Sequence, residues 1–123
     1  MKKRNTALIS ALAIAFFGAF PIRAADVFLS GFEDLPLMAG LTQVVGNGIL
    51  FDTPQGRIVQ ASAVGAVSQS SVMQFYAETL PQLGWARVDD AEFQREGETL
   101  KVEFTDLNQR LEVRFLVEPT ANE

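Results

Sequence analysis

The stretch SSVMQFYAETLPQLGW, Ser70 to Trp85, decides how the whole chain is read. Val72, Phe75, Tyr76, Thr79, Leu80 and Leu83 recur at steps that draw one stripe along a helix of about 3.6 residues per turn. Gln74, Glu78 and Gln82 fall on the other faces and are expected to meet water. Ser71 and Gln74 have the spacing of a capping box, in which each side chain satisfies a free backbone N–H at the helix start. Gly84 suits the left-handed residue that ends a helix. Pro81 lacks an N–H and restricts Leu80, so the last turn is expected to kink or loosen. Trp85 is then expected to pack back over the helix end.

Strand patterns flank this helix on both sides. Upstream, Val44–Thr53 and Arg57–Val67 read as two strands joined at Thr53-Pro54-Gln55-Gly56, a type I turn with Pro at its second position. A three-residue loop sets Thr53 opposite Arg57, Phe51 opposite Val59 and Ile49 opposite Ala61, which pairs apolar residues with each other. Gln60–Ser71 is rich in Ala, Ser and Gly, which marks its far end as mobile. Downstream, Trp85–Val88 and Glu92–Arg95 are short strands separated by Asp89-Asp90. Glu96-Gly97 is a two-residue hairpin loop that sets Arg95 opposite Glu98 and Phe93 opposite Leu100. Leu100, Val102 and Phe104 alternate with polar residues, and so do Leu111, Val113, Phe115 and Val117. Strands with one apolar face form an antiparallel sheet covered on one side. The expected fold class is therefore α+β: a two-layer domain over residues 42–118, with about five antiparallel strands covered on one face by a single main helix.

The N-terminus has another character. Lys2, Lys3 and Arg4 precede an apolar run from Ala7 to Phe20, and Pro21 and Ile22-Arg23-Ala24 follow. This is the pattern of a secretory signal peptide over residues 1–24, cut after Ala24 or alternatively after Ala25. The run is short for a retained membrane anchor, which takes about 20 apolar residues. The expected location is periplasmic. The leader holds four of the ten basic residues and none of the fifteen acids, so the remainder carries a net charge of −9. Such a chain is repelled by nucleic acid and by anionic lipid. Residues 25–41 have no clean period but are apolar, and they read as an irregular arm laid across the core, with bends at Pro36 and Gly40. Residues 119–123 read as a polar tail.

The helix V-x-x-[FY]-Y-x-x-x-[LM]-P-x-x-G-W, carried here by Val72, Phe75, Tyr76, Leu80, Pro81, Gly84 and Trp85, resembles a recurrent small module of bacterial envelope proteins. In those modules the helix is followed by a β-meander, here FQREGETLKVEF and RLEVRFLVEP. LPLMAGL is similar to their lead segment, with Ala39-Gly40 where Pro-Gly is more usual. The resemblance implies a fold and a compartment. It implies no catalytic residue, because the matching positions are packing residues.

The chain has no His and no Cys. That excludes Ser-His-Asp and Cys-His nucleophiles, His-ligated zinc, haem attachment and redox dithiols. Asp89, Asp90 and Glu92 are the densest acids, and their placement at a turn points to solvation rather than to a metal or catalytic site. The expectation is an exported, non-enzymatic protein without metal or cofactor, an accessory or protein-interaction module of the cell envelope. The alternative is a binder of a small or lipid-like molecule in a helix–sheet cavity. The candidate interaction or ligand surface is Leu35, Leu37, Met38, Phe75, Tyr76, Trp85 and Phe93. The expected partner is an envelope protein, and unpaired edge strands also leave room for a homodimer. Nucleic acid and a stable membrane span after cleavage are not expected.

Overall fold

The computed structural model describes residues 27–32, 34–46 and 48–121 of the chain. The expected leader and both cleavage sites lie outside these residues. Among these residues seven antiparallel strands form one sheet beside a single α-helix, so the class is α+β. The strands are β1 (Thr42–Gln43), β2 (Ile49–Thr53), β3 (Gly56–Gly65), β4 (Ala86–Asp89), β5 (Glu92–Arg95), β6 (Glu98–Asp106) and β7 (Leu111–Pro119). Helix α1 (Gln69–Thr79) runs into a 3-10 turn over Leu80–Leu83. The sheet order is β1-β3-β7-β6-β5-β4, with β2 also paired to β3. The helix thus carries the chain from β3 to the far edge, and the meander from β4 walks back until β7 closes on β3.

The sheet has more strands than the expected five or so. Val44–Thr53 is not one strand, because the ladder to β3 stops at Gln43 and resumes at Ile49. Val44 keeps one tie there, its N–H donating to the Ser62 carbonyl at 2.8 Å. The β2–β3 register also differs by one residue from expectation. Thr53 faces Gly56, Phe51 faces Ile58 and Leu50 faces Val59. The Thr53 side chain explains the tighter loop. Its Oγ1 accepts from the N–H groups of Gln55 and Gly56 and donates to the Gly56 carbonyl at 2.6 Å. Gly56 supplies the φ of +145° that the loop needs. A one-residue slip exchanges the faces of a strand, so Phe51 and Ile49 lie on the face opposite Val59.

Helix α1 starts earlier than expected. Ser68 is the N-cap, and its hydroxyl accepts from the Ser71 N–H at 3.1 Å. The expected cap, Ser71, is therefore inside the first turn. Gln74 reaches forward to Glu78 rather than back to a free N–H. The chain holds several hydroxyls in a row, and the earliest one that can cap gains an extra turn of helix. The far end follows expectation. Pro81 tightens the backbone into the 3-10 turn, and Gly84 stops it at φ +95°. The Trp85 N–H then bonds back to the Leu80 carbonyl, and the indole is buried.

The helix stripe meets the sheet through Val72, Tyr76 and Leu80. The Tyr76 ring stands edge-on to Phe115 of β7, with centroids 5.2 Å apart. The arm completes the cover, burying Leu29, Phe32, Leu35 and Leu41 in the same core. Side chains shrink along the inner face of β3 from Val59 through Ala61 and Ala63 to Gly65. A Cβ on Gly65 would collide with the Gly40 carbonyl oxygen, 2.0 Å away. The small residues at the near end of this stretch thus seat the arm. The C-terminal boundary also moves. Pro119 belongs to β7, and the Thr120 hydroxyl lies 2.8 Å from that of Thr99.

Candidate interaction edge

Ile49, Leu50 and Phe51 are β-branched, aliphatic and aromatic residues, which favour the extended backbone that β2 adopts. They pair with β3 in five unbroken steps from Ile49 to Thr53. The other side of β2 meets no strand among the described residues. Ile49 is 44% exposed, Leu50 65% and Phe51 51%. Val45 in the preceding segment is 91% exposed. A sheet of this size places one apolar side chain in water without meaning, but a run of consecutive ones on an unpaired edge has few structural uses. Beside Leu50 lies an open groove of about 330 Å³ bounded by Ser30, Gly31, Gln43 and Val59. Gln43 fixes that wall, its side-chain oxygen accepting from the Ser30 N–H at 2.8 Å.

The residues singled out from the sequence lie elsewhere. Leu35, Tyr76, Trp85 and Phe93 are core residues, each under 5% exposed. Leu37, Met38 and Phe75 pack against that core and are only partly buried. Of these residues Tyr76 holds the arm. The Tyr76 hydroxyl donates to the Pro36 carbonyl at 2.7 Å and accepts from the Met38 N–H at 3.2 Å. Burial pushes this phenol well above its ordinary range, and the Met38 hydrogen bond pulls it part of the way back. Arg95 forms a second clasp. It pairs with Asp34 of the arm at 2.9 Å, donates to the Leu83 carbonyl at 2.8 Å and lies 4.3 Å over the Trp85 ring. The Trp85 indole N–H is buried with no hydrogen-bond partner among the described residues.

In the helix–sheet space the room beside Tyr76 and Phe93 is small. The cavity between Val72, Tyr76, Phe93 and Val102 measures about 10 Å³, at most the room of one water, against a few hundred Å³ for a small-molecule site. The acids at the β4–β5 turn are used locally. Asp89 accepts from the Asp90 N–H, and Arg87 donates to the Asp90 carbonyl at 2.9 Å. No three acids converge on a metal position among the described residues. On the open face of the sheet, Lys101 pairs with Glu118 and Arg114 with Glu103, each at 3.2 Å. The Glu118 carboxylate raises the Lys101 pKa, first by hydrogen bonding and then by charge.

Compared with protein-family models, curated proteins and solved structures, the chain matches none. The geometry of the edge therefore carries the functional argument. A signal for that edge did exist in the sequence. Ile49-Leu50-Phe51 breaks the alternation that a half-buried strand should keep, whereas β6 and β7 keep it.

Proposed function

We propose that the chain is an exported, non-enzymatic interaction module of the bacterial cell envelope that works in the periplasm by adding a strand at β2. The α+β body acts as a two-layer scaffold presenting that edge. The observation that carries the reading is the row of Ile49, Leu50 and Phe51, all exposed on a strand whose outer side meets no strand among the described residues. Strand addition draws affinity from main-chain hydrogen bonds and specificity from neighbouring side-chain pockets, and the groove beside Leu50 is such a pocket. The basic-then-apolar N-terminal pattern and the resemblance of the helix to envelope modules support the compartment. No described helix is long and apolar enough to cross a membrane.

The test is an affinity pull-down of the tagged protein from gently solubilised cell envelopes, run beside Leu50→Lys and Val88→Lys. The expected result, with proteins cross-linked in the intact envelope before solubilisation, is an enriched companion, either an untagged copy or another envelope protein, lost with Leu50→Lys and kept with Val88→Lys. Recovery of the native protein alone, or equal recovery of the companion with both variants, would overturn the reading.

A further inference from the structure

We infer that the occupant of the β2 edge is the β2 edge of a second copy, paired antiparallel about a two-fold axis through Leu50. This rests on the strand-addition reading above and names the partner. A strand that pairs with its own copy about a two-fold must place one residue opposite itself. Opposite residues have to turn the same backbone side toward each other, so a register centred between two residues is not allowed. Three centres remain within the apolar row.

Centring on Phe51 sets Leu50 against Asp52 of the second copy and brings the two Asp52 carboxylates near each other. Centring on Ile49 leaves Leu50 against Gly48. Centring on Leu50 sets Leu50 against Leu50, Ile49 against Phe51, and Asp52 against Gly48. Every apolar residue then meets an apolar one, and Ile–Phe is a favourable cross-strand pair. The two Asp52 residues lie four residues apart along the strands, about 14 Å at ~3.4 Å per residue. That exceeds the screening length of about 8 Å in physiological salt. Asp52 is the only ionisable residue of β2, and it sits opposite Arg57 in its own hairpin.

The remainder of the sheet makes this contact closed rather than chain-forming. β4, the opposite edge, changes register between Arg87 and Asp89 and carries charges, so β2 of one copy finds no matching edge at β4 of another. An isologous pair is then the natural end point, and it gives a dimer rather than a fibre. A paired row of five residues is a small interface, so the expected affinity is weak, on the order of 10 µM.

The absence of cysteine makes the register directly testable. Paired residues of antiparallel strands have Cα atoms about 4.5–5.5 Å apart, within the span of a disulfide, whereas about 14 Å is not. In the native chain, purified in the form that the cell accumulates, sedimentation should show the mass doubling across roughly 1–100 µM. Leu50→Lys should remain monomeric. Under mild oxidation Leu50→Cys should form a disulfide dimer, and Asp52→Cys should not. Several results would overturn the self-pairing: a native chain that stays monomeric, a dimer that Leu50→Lys leaves intact, or equal cross-linking at both positions. A monomer whose Leu50→Lys variant still loses a different envelope companion would refute the second copy and leave strand addition standing. A monomer whose companion survives Leu50→Lys would refute both.

Discussion

The two edges of this sheet are built differently. β4 has the protections that natural edges usually carry: a register break between Arg87 and Asp89, and a charge-rich turn in which Arg87 is tied to Asp90. Its one large exposed apolar residue is Val88. β2 has none of these within its row. It runs straight from Ile49 to Thr53 with three consecutive apolar residues and a single charge. The neighbouring part of the same β3 side is handled in another way, since β1 pairs there and the arm crosses at Gly65. Among the described residues, then, one edge is protected, half of the other is strapped, and Ile49–Phe51 is left open. An open stretch between protected ones fits a binding edge better than a packing oversight.

The contrast can be broken most severely at the strap. Gly65→Ala should cost about 3 kcal/mol or more, because its Cβ has to displace the Gly40 backbone rather than a flexible side chain. Thermal denaturation would register this as a large fall in Tm, and an unchanged Tm would mean that the arm does not cross there.

Next in size is the arm's clasp at Tyr76. Tyr76→Phe leaves the Pro36 carbonyl and the Met38 N–H without their partner, at a cost of about 2 kcal/mol. The same hydroxyl sets an alkaline limit. Its pKa is higher in the folded than in the unfolded chain, so the folded state binds the proton more tightly. The stabilisation is complete below about pH 10 and is lost as the pH rises beyond it. Tyr76 is the only tyrosine, so phenolate absorbance reports it alone. Phenolate should appear together with unfolding, and ionisation of an intact fold near pH 10 would contradict the buried position.

A smaller effect is expected near the protected edge. Arg95→Met removes the ion pair with Asp34 and the stacking on Trp85, for about 1 kcal/mol. The fluorescence of Trp85, the sole tryptophan, should change with it. Smallest in stability is the matched pair Leu50→Lys and Val88→Lys, each within about 0.5 kcal/mol because both side chains already meet water. The two should differ only in association, which Leu50→Lys abolishes. Equal association of the two variants would erase the distinction between the edges.

Much of this architecture follows from local pattern. The stripe from Val72 to Leu83, the stop at Pro81 and Gly84, and the pairings Arg95–Glu98 and Phe93–Leu100 can all be read directly from the chain. These features depend on residues close in sequence, whose relative directions are set by a helical period of about 3.6 or a strand period of 2. What faces water at β2 could not be read that way. A hydroxyl hydrogen bond at Thr53 shortened the loop by one residue, and that single step exchanged the two faces of Ile49–Phe51. Nor could the fate of Leu35, Tyr76, Trp85 and Phe93, which read equally well as core or as surface. Their burial depends on segments far apart in the chain, the arm, the helix and the strands, meeting in one core, and only the assembled structure brings those segments together.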